Sequence, residues 1–206
     1  MDLLVQGVYD IQTLKTLQQQ NISALAFDLR GKSLNLIAFH VLKNLIPHFK
    51  LHQNFLIFEN DKLQTVNSFL NLLGEDKNKF ELQFRDHLGL DFYSQINHPF
   101  SWFFTTKTDW KGILELPMLK TIFLPVDLKH EYENLSELWN LILKRHLKVI
   151  VHSSSFFELE KFIFDKNLHL SVDLGHEMEN GFRQIDQVRL SNHPIWKNLY
   201  ESASGQ

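Results

Sequence analysis

Eight short apolar runs, most of them separated by segments of helical periodicity, constrain the fold of this chain more than any other feature. The runs predict strands at residues 3–6, 24–29, 55–60, 80–85, 101–106, 121–126, 148–153 and 170–175. Apolar residues three and four positions apart, as on an amphipathic helix, mark the intervening segments 10–20, 36–46, 62–73, 134–145 and 155–166. The repeating unit is therefore a strand followed by a helix.

Near-continuous apolar strands joined by helices predict a parallel sheet, because each connection must return over one face of that sheet. Eight such units can close on themselves, so we expect an α/β protein with a single-domain (β/α)8 TIM barrel at residues 1–200 and a disordered tail at 201–206. The strand–helix unit with the poorest helical pattern lies at 109–120, where Gly112 and Pro117 leave little room for a full helix.

The charge balance argues against nucleic acid and anionic membranes as partners. The chain has 21 basic and 24 acidic residues, a net charge of -3 and no long basic cluster. No stretch approaches the roughly 20 apolar residues of a membrane span, and the N-terminus lacks the pattern of a signal peptide, so a cytoplasmic location is expected. Cysteine is absent, the 11 histidines lack the spacing of a zinc helix, and there is no glycine-rich nucleotide motif. We therefore expect no metal and no cofactor.

Chemistry in a barrel of this kind gathers at the carboxyl ends of the strands. Polar residues stand at nearly all of these ends: Gln6, Asp28, Glu59, Asn60, Arg85, Asp86, Thr105, Thr106, Lys107, Asp127, His152, Ser153, Ser154, Ser155, Gly175, His176 and Glu177. Polar residues also end strands simply because loops are solvated, so the convergence of eight ends indicates a site more strongly than any one of them.

Four segments resemble phosphoribosylanthranilate isomerase, a small barrel enzyme of tryptophan biosynthesis, in their order and spacing over nearly the whole chain. They are LVQGVYD with Gly7, AFDLRGKSLNLI with Lys32 and Ser33, the pair IFEND and LQFRD with Phe58, Asn60 and Gln83, and SVDLGHEMENGFRQID with Gly175, Glu177, Gly181 and Arg183. The resemblance implies an Amadori rearrangement of a phosphoribosyl amine. In that family a carboxylic acid opens the ribose ring, and a cysteine removes the proton from the second carbon of the sugar.

The catalytic positions implied by the resemblance are only partly kept. Asp127, at the end of FLPVD, matches the acid of the family, but Gln6 stands at the position of the base. An amide has no accessible pKa for proton abstraction at neutral pH. The arginine that pairs with the anthranilate carboxylate falls on Asn35, and we predict Asn35 and Arg85 as substrate-binding residues.

The phosphate loops of the family are altered as well. The glycine-rich loop after the acid is replaced by LKHEYEN at 128–134, and the double glycine of the seventh strand falls on Ser153 and Ser154. Hydroxyl groups can bond phosphate, and Gly175 with His176 can present backbone amides, so these four residues form the predicted phosphate site. Serine clusters in loops also occur as ordinary turn residues.

Two functions remain open. In the first, the chain is a phosphoribosylanthranilate isomerase, or a relative acting on a similar sugar phosphate, and an intramolecular oxidoreductase-type enzyme. Asp127 is then the acid, and another residue such as Asp28 or Glu59 is the base. In the second, it is a degenerate barrel that serves as a non-catalytic binding or interaction protein. The losses at Gln6 and Asn35 favour the second function for mechanism, whereas the whole-chain resemblance favours the first for ancestry and, with it, a small sugar phosphate as ligand. The sequence carries no signal for oligomeric state or cellular role.

Overall fold

The computed structural model describes residues 2–20, 22, 24–49, 53–126, 136–159, 169–181 and 183–197. Several predictions lie outside the described residues: the candidate acid Asp127, the altered loop at 128–134, the second half of the helical segment at 155–166 and the tail at 201–206.

Eight parallel strands close into a barrel in which each strand pairs with the next in sequence and the last pairs with the first. The strands are β1 (Asp2–Gln6), β2 (Ala24–Asp28), β3 (Gln53–Phe58), β4 (Phe80–Phe84), β5 (Phe100–Phe103), β6 (Leu119–Pro125), β7 (Lys148–Ser153) and β8 (His169–Asp173). The predicted (β/α)8 barrel is confirmed. We call the end at which the eight strands finish the mouth of the barrel.

A helix follows each strand. The helices are α1 (Ile11–Gln18), α2 (Phe39–Leu45), α3 (Leu63–Leu73), α4 (Leu90–Ser94), α5 (Trp110–Leu114), α6 (Ser136–Arg145), α7 (Phe156–Leu159) and α8 (Gln187–Ser191). The unit expected to be weak does contain a short helix, α5 of 5 residues, whose first turn is capped by the Asp109 carboxylate accepting from the Gly112 amide. None of the helices in the described part of the chain has the length and apolarity needed to cross a membrane.

Alternation along the strands separates the apolar side chains into two clusters. The smaller cluster fills the inside of the barrel with Leu4, Ala24, Ala26, Phe55, Ile57, Phe103, Phe123 and Ile150. Phe103 and Phe123 stack there with their ring centroids 4.8 Å apart. The larger cluster includes the intervening strand residues and the inner faces of the helices. Because the middle of the barrel is apolar, the polar side chains that point inward lie toward its two ends.

A short antiparallel hairpin that the sequence pattern did not indicate follows β8. It consists of β9 (Glu179–Gly181) and β10 (Gln184–Ile185). Arg183 connects the two strands with a positive φ of 54°, and its Nη2 donates to the Leu36 carbonyl at 2.7 Å. Its guanidinium lies 4.9 Å from the centroid of the Tyr9 ring. These contacts tie the hairpin to the loops that follow β1 and β2.

Candidate functional site

Gln6 lies at the mouth, at the end of β1, with none of its surface exposed. Its Oε1 accepts from Gln83 Nε2 at 2.9 Å and from Arg85 Nη2 at 2.5 Å. Its Nε2 donates to Ser171 Oγ and lies 3.4 Å from His152 Nδ1. The amide has two acceptor sites and two N–H donors, so neighbouring side chains meet its full hydrogen-bonding capacity.

An ion pair between β4 and β8 lies beside this amide. Arg85 donates through Nη1 to Asp173 Oδ2 at 3.1 Å and through Nη2 to Asp173 Oδ1 at 2.6 Å. The guanidinium also lies 4.8 Å from the centroid of the Phe103 ring. Burial opposes ionisation of Asp173, but the charge and hydrogen bonds of Arg85 outweigh it and hold the pKa of this carboxyl below its usual value. Asp173 is therefore a carboxylate at neutral pH.

His152 completes the group at the mouth and is 8% exposed. Its Nδ1 lies 3.2 Å from Ser171 Oγ, and its Nε2 lies 3.7 Å from Asp173 Oδ2. Burial, and then the positive charge of Arg85, lower the pKa of His152 to about 3. The imidazole is therefore neutral at physiological pH and is a weak base.

A second ion pair lies at the end of β2. Asp28 is 2% exposed and accepts from Arg30 Nε at 2.9 Å, from Arg30 Nη2 at 2.6 Å and from Ser33 Oγ at 2.6 Å. Glu59 is exposed, and its carboxylate lies 3.5 Å from the other terminal nitrogen of Arg30. Both residues named as alternative bases are therefore engaged with the same guanidinium.

Asn35 is held by the main chain at the end of β8, where its Nδ2 donates to the Leu174 carbonyl at 2.5 Å. This contact requires a glycine at position 7, because a Cβ there would lie 2.6 Å from Asn35 Nδ2. Gly7 also has a φ of 83°, which favours glycine. The amide of Asn35 is thus fixed against the barrel.

A pocket of about 240 Å3 opens at the mouth between the ends of β1, β2 and β8. Three residues of the predicted site, Asn35, Ser154 and Gly175, line it together with Asp28 and Asp173. The structure therefore brings part of the predicted substrate and phosphate sites around one small cavity.

The other predicted phosphate residues lie elsewhere. Ser153 is 3% exposed, and its Oγ lies 2.6 Å from Glu158 Oε2. Its neighbour in the strand, His152, faces the interior, so Ser153 points toward the helices. The backbone of His176 begins the 3-10 turn His176–Met178. Arg85 reaches the mouth as predicted, but it contacts Gln6 and Asp173 there.

The sequence placed His152 among the polar strand ends and Gln83 among the residues of the resemblance, but it gave neither a role in the site. It did not single out Ser171 or Asp173, although all four residues surround Gln6 and Arg85. The signal that could have found them is the period of two in β4 and β8, where Gln83 and Arg85, and Ser171 and Asp173, occupy alternate positions facing the interior. Among the described residues, no group of three His, Cys, Asp or Glu is arranged to hold a metal ion.

No protein-family model and no curated protein sequence matches the chain. Solved structures do match it along its full length. Phosphoribosyl anthranilate isomerase from Thermus thermophilus has a TM-score of 0.69 at 13% identity, covering 98% of this chain and 99% of that one. TrpF from Jonesia denitrificans has a TM-score of 0.69 at 10% identity, covering 100% of both chains.

A third match is a phosphoribosyl anthranilate isomerase in complex with reduced 1-(o-carboxyphenylamino)-1-deoxyribulose 5-phosphate. Its TM-score is 0.67 at 13% identity, covering 98% of this chain and 99% of that one. At such identities the likeness establishes the fold alone. From end to end, this chain has the fold of the phosphoribosylanthranilate isomerases.

Proposed function

We propose that this protein is a barrel of the phosphoribosylanthranilate isomerase type that has lost efficient Amadori isomerisation and binds a small polar molecule at its mouth. The observation that carries the proposal is the chemistry and hydrogen bonding of the Gln6 side chain. At the position where the resemblance implies a base, Gln6 offers an amide whose donors and acceptors are already used by Gln83, Arg85 and Ser171.

The rearrangement needs an acid that opens the sugar ring and a base that removes a carbon-bound proton. By resemblance Asp127 supplies the acid. For the base, the burial and low pKa of His152 make it a poor proton acceptor, and the carboxylate of Asp173 is held in two hydrogen bonds by Arg85. Asp28 is held in the same way by Arg30 and Ser33. These contacts support a barrel that binds without efficient turnover.

The pocket beside Gly7, Asn35, Ser154 and Gly175 supports the binding part of the proposal, because it has the size for a small molecule and walls of amide, hydroxyl and carboxylate groups. A cytoplasmic location and a place beside tryptophan biosynthesis rest on the resemblance. No metal or cofactor is part of the proposal.

The test is growth without tryptophan of a bacterium that lacks its own isomerase. Three chains are compared: the parent, Gln6→Cys, and Gln6→Cys combined with Asn35→Arg. We expect the parent to fail, because loss of a positioned base lowers rates on the order of 100-fold to 10,000-fold. Growth with either variant would support the proposal by showing that these positions account for the loss. Growth with the parent would overturn it.

Each chain must also be shown to be present and folded in the cells, by immunoblot and by circular dichroism of the purified protein. Asn35→Arg removes the bond to the Leu174 carbonyl and enlarges a side chain that packs against Gly7. The single Gln6→Cys variant, which leaves that contact intact, is therefore the cleaner comparison with the parent.

A further inference from the structure

A groove larger than the pocket at the mouth lies on the outside of the barrel. Its volume is about 640 Å3, and it runs between α3 and α4, beside the first residues of β4 and the segments that lead into β5 and β6. Helix α4 has 5 residues and is therefore about 7.5 Å long, roughly half the length of a strand of 5 residues such as β4. The groove has the size of a ligand site and shares no residue with the pocket at the mouth.

Four asparagines supply most of the polar groups of this groove. They are Asn67, Asn71, Asn78 and Asn97. Asn67 and Asn71 are four residues apart in α3, so they lie on the same face of that helix. All four are exposed, and within the described part of the chain their side-chain amides have no hydrogen-bond partner. An amide side chain carries donors and an acceptor side by side, as a peptide group does, so each can pair with a peptide group of a ligand.

Apolar side chains form the floor of the groove. Leu70 and Met118, each partly buried, line it together with the buried Ile96. An extended chain directs alternate side chains to the same face. It can therefore place apolar side chains on this floor while its peptide groups meet the asparagines.

Lys77 gives the groove a positive charge. It is exposed, and among the described residues it forms no ion pair, whereas the neighbouring Lys79 is paired with Asp76 at 2.7 Å. No Asp or Glu occurs among the described residues that line the groove. A carboxylate bound here would meet a cation without a partner and no opposing negative charge in the wall.

We propose that this groove binds the carboxyl-terminal end of an extended, apolar peptide segment of another protein. The asparagines pair with its peptide groups, the floor receives every second side chain, and Lys77 is the counter-ion of the terminal carboxylate. The proposal goes beyond the function of the mouth and does not depend on it, because the two sites have no residue in common.

The experiment is a calorimetric titration of the purified full chain with an N-acetylated hexapeptide of alternating leucine and alanine. The peptide is made with a free carboxyl end and with a carboxamide end. The carboxyl form should bind saturably, with a Kd between micromolar and low millimolar. The carboxamide form should bind about fivefold more weakly, as expected for loss of one exposed ion pair. A carboxyl peptide with serine in place of leucine should bind at least about tenfold more weakly, because it brings no apolar side chains to the floor.

Variants with matched controls assign the binding to this groove. Lys77→Gln should bind both forms of the peptide equally, whereas Lys62→Gln, at an exposed lysine outside the groove, should keep the fivefold difference. Asn67→Ala combined with Asn71→Ala should weaken both forms about tenfold through the lost hydrogen bonds. Asn140→Ala, at an exposed asparagine of α6, should change neither affinity.

The proposal is overturned if the parent shows no saturable binding of the carboxyl peptide below about 5 mM, or binds the carboxamide form equally well. It is also overturned if Lys77→Gln keeps the difference, or if Asn140→Ala loses as much affinity as the double variant of α3. Alanine favours helices, so the double variant should fold, and circular dichroism checks this for each chain. If a variant does not fold, the comparison of the two peptide forms on the parent decides. None of these results depends on turnover at the mouth.

Discussion

At the scale of the residue, the polar side chains at the mouth form hydrogen bonds and ion pairs with one another. Arg85 binds both Gln6 and Asp173, and Asp28 binds both Arg30 and Ser33. An enzyme that abstracts protons needs at least one group left available for its substrate. At this mouth, the side chains of Arg85 and Asp173 join the ends of β4 and β8, and those of Asp28 and Arg30 pair at the end of β2.

The ion pair of Arg85 and Asp173 predicts how the stability depends on pH. The pKa of Asp173 is lowered in the folded state, so its contribution is present above the pKa of the unfolded state and is lost as the pH falls through the folded value. Asp173→Asn should destabilise the protein at pH 7 by about 2 kcal/mol, below the usual range for a buried pair because the carboxylate is partly exposed. Urea unfolding should be measured at a series of pH values from 7 to 3. The difference in unfolding free energy between the variant and the parent should shrink below about pH 4.

The matched control is Asp91→Asn, at an exposed carboxylate in the first turn of α4. This variant should change stability by only a few tenths of a kcal/mol. A loss at Asp173 no larger than the loss at Asp91 would show that the contact with Arg85 contributes little.

At the scale of the element, β4 shows how one strand serves both ends of the barrel. Its inward positions are Glu81 near the start and Gln83 near the end, followed by Arg85 just beyond the strand. Glu81 lies among Gln53, Ser101, Thr121 and Lys148 at the end opposite the mouth. Burial, opposed by these neighbours, raises the pKa of Glu81 to about 7.

Glu81→Gln should therefore flatten one part of the pH profile of stability. The folded state holds the proton of Glu81 up to about pH 7, whereas the unfolded chain releases it near the ordinary value of 4.5. The stabilising contribution is full below pH 4.5 and is lost as the pH rises to about 7. Relative to the parent, the variant should gain stability steadily across this window.

The comparison must be made as a difference between variant and parent, because His152 acts with the opposite sign. Its lowered pKa removes stability as the pH falls below the ordinary value of 6.5. A constant difference between Glu81→Gln and the parent from pH 4.5 to pH 7 would show that Glu81 keeps an ordinary pKa.

Elements with enough residues to display a period could be predicted from the sequence. All eight strands overlap the apolar runs, although β3 and β5 end at Phe58 and Phe103, before the predicted ends at residues 60 and 106. Helices α1 and α3 follow the helical pattern closely. The hairpin of β9 and β10 was missed because strands of 3 and 2 residues are too short to show alternation. Contacts of Arg183 with Leu36 and Tyr9, together with burial of Ile185 in the core, hold this hairpin against the barrel.

At the scale of the whole molecule, this chain shares its fold with solved isomerases although the sequences differ at most positions. Solved isomerases at 10% to 13% identity match the chain over at least 98% of its length. A closed barrel needs only alternating apolar strands and amphipathic helices, which many sequences satisfy. A working site depends on particular side chains, so a shared barrel does not by itself carry a shared chemistry.

The candidate site could be predicted only in part for the same reason. Strand ends locate the mouth, so Gln6, Asn35 and Arg85 were found from the sequence and the resemblance. The partners of Gln6 come from β4, β7 and β8, far apart in the chain. Nothing in a single sequence shows which inward side chains from distant strands will meet, and packing across the closed barrel decides it.

The central claim is that the mouth binds without isomerising, and the most direct test is steady-state turnover of phosphoribosylanthranilate by the purified chain. The isomerase from Thermus thermophilus, which shares the fold, is assayed beside it. We predict a kcat/KM lower than that of the reference by on the order of 100-fold to 10,000-fold, the range expected for loss of a positioned base. A kcat/KM within about tenfold of the reference, a barrier difference of only about 1.4 kcal/mol, would contradict the claim.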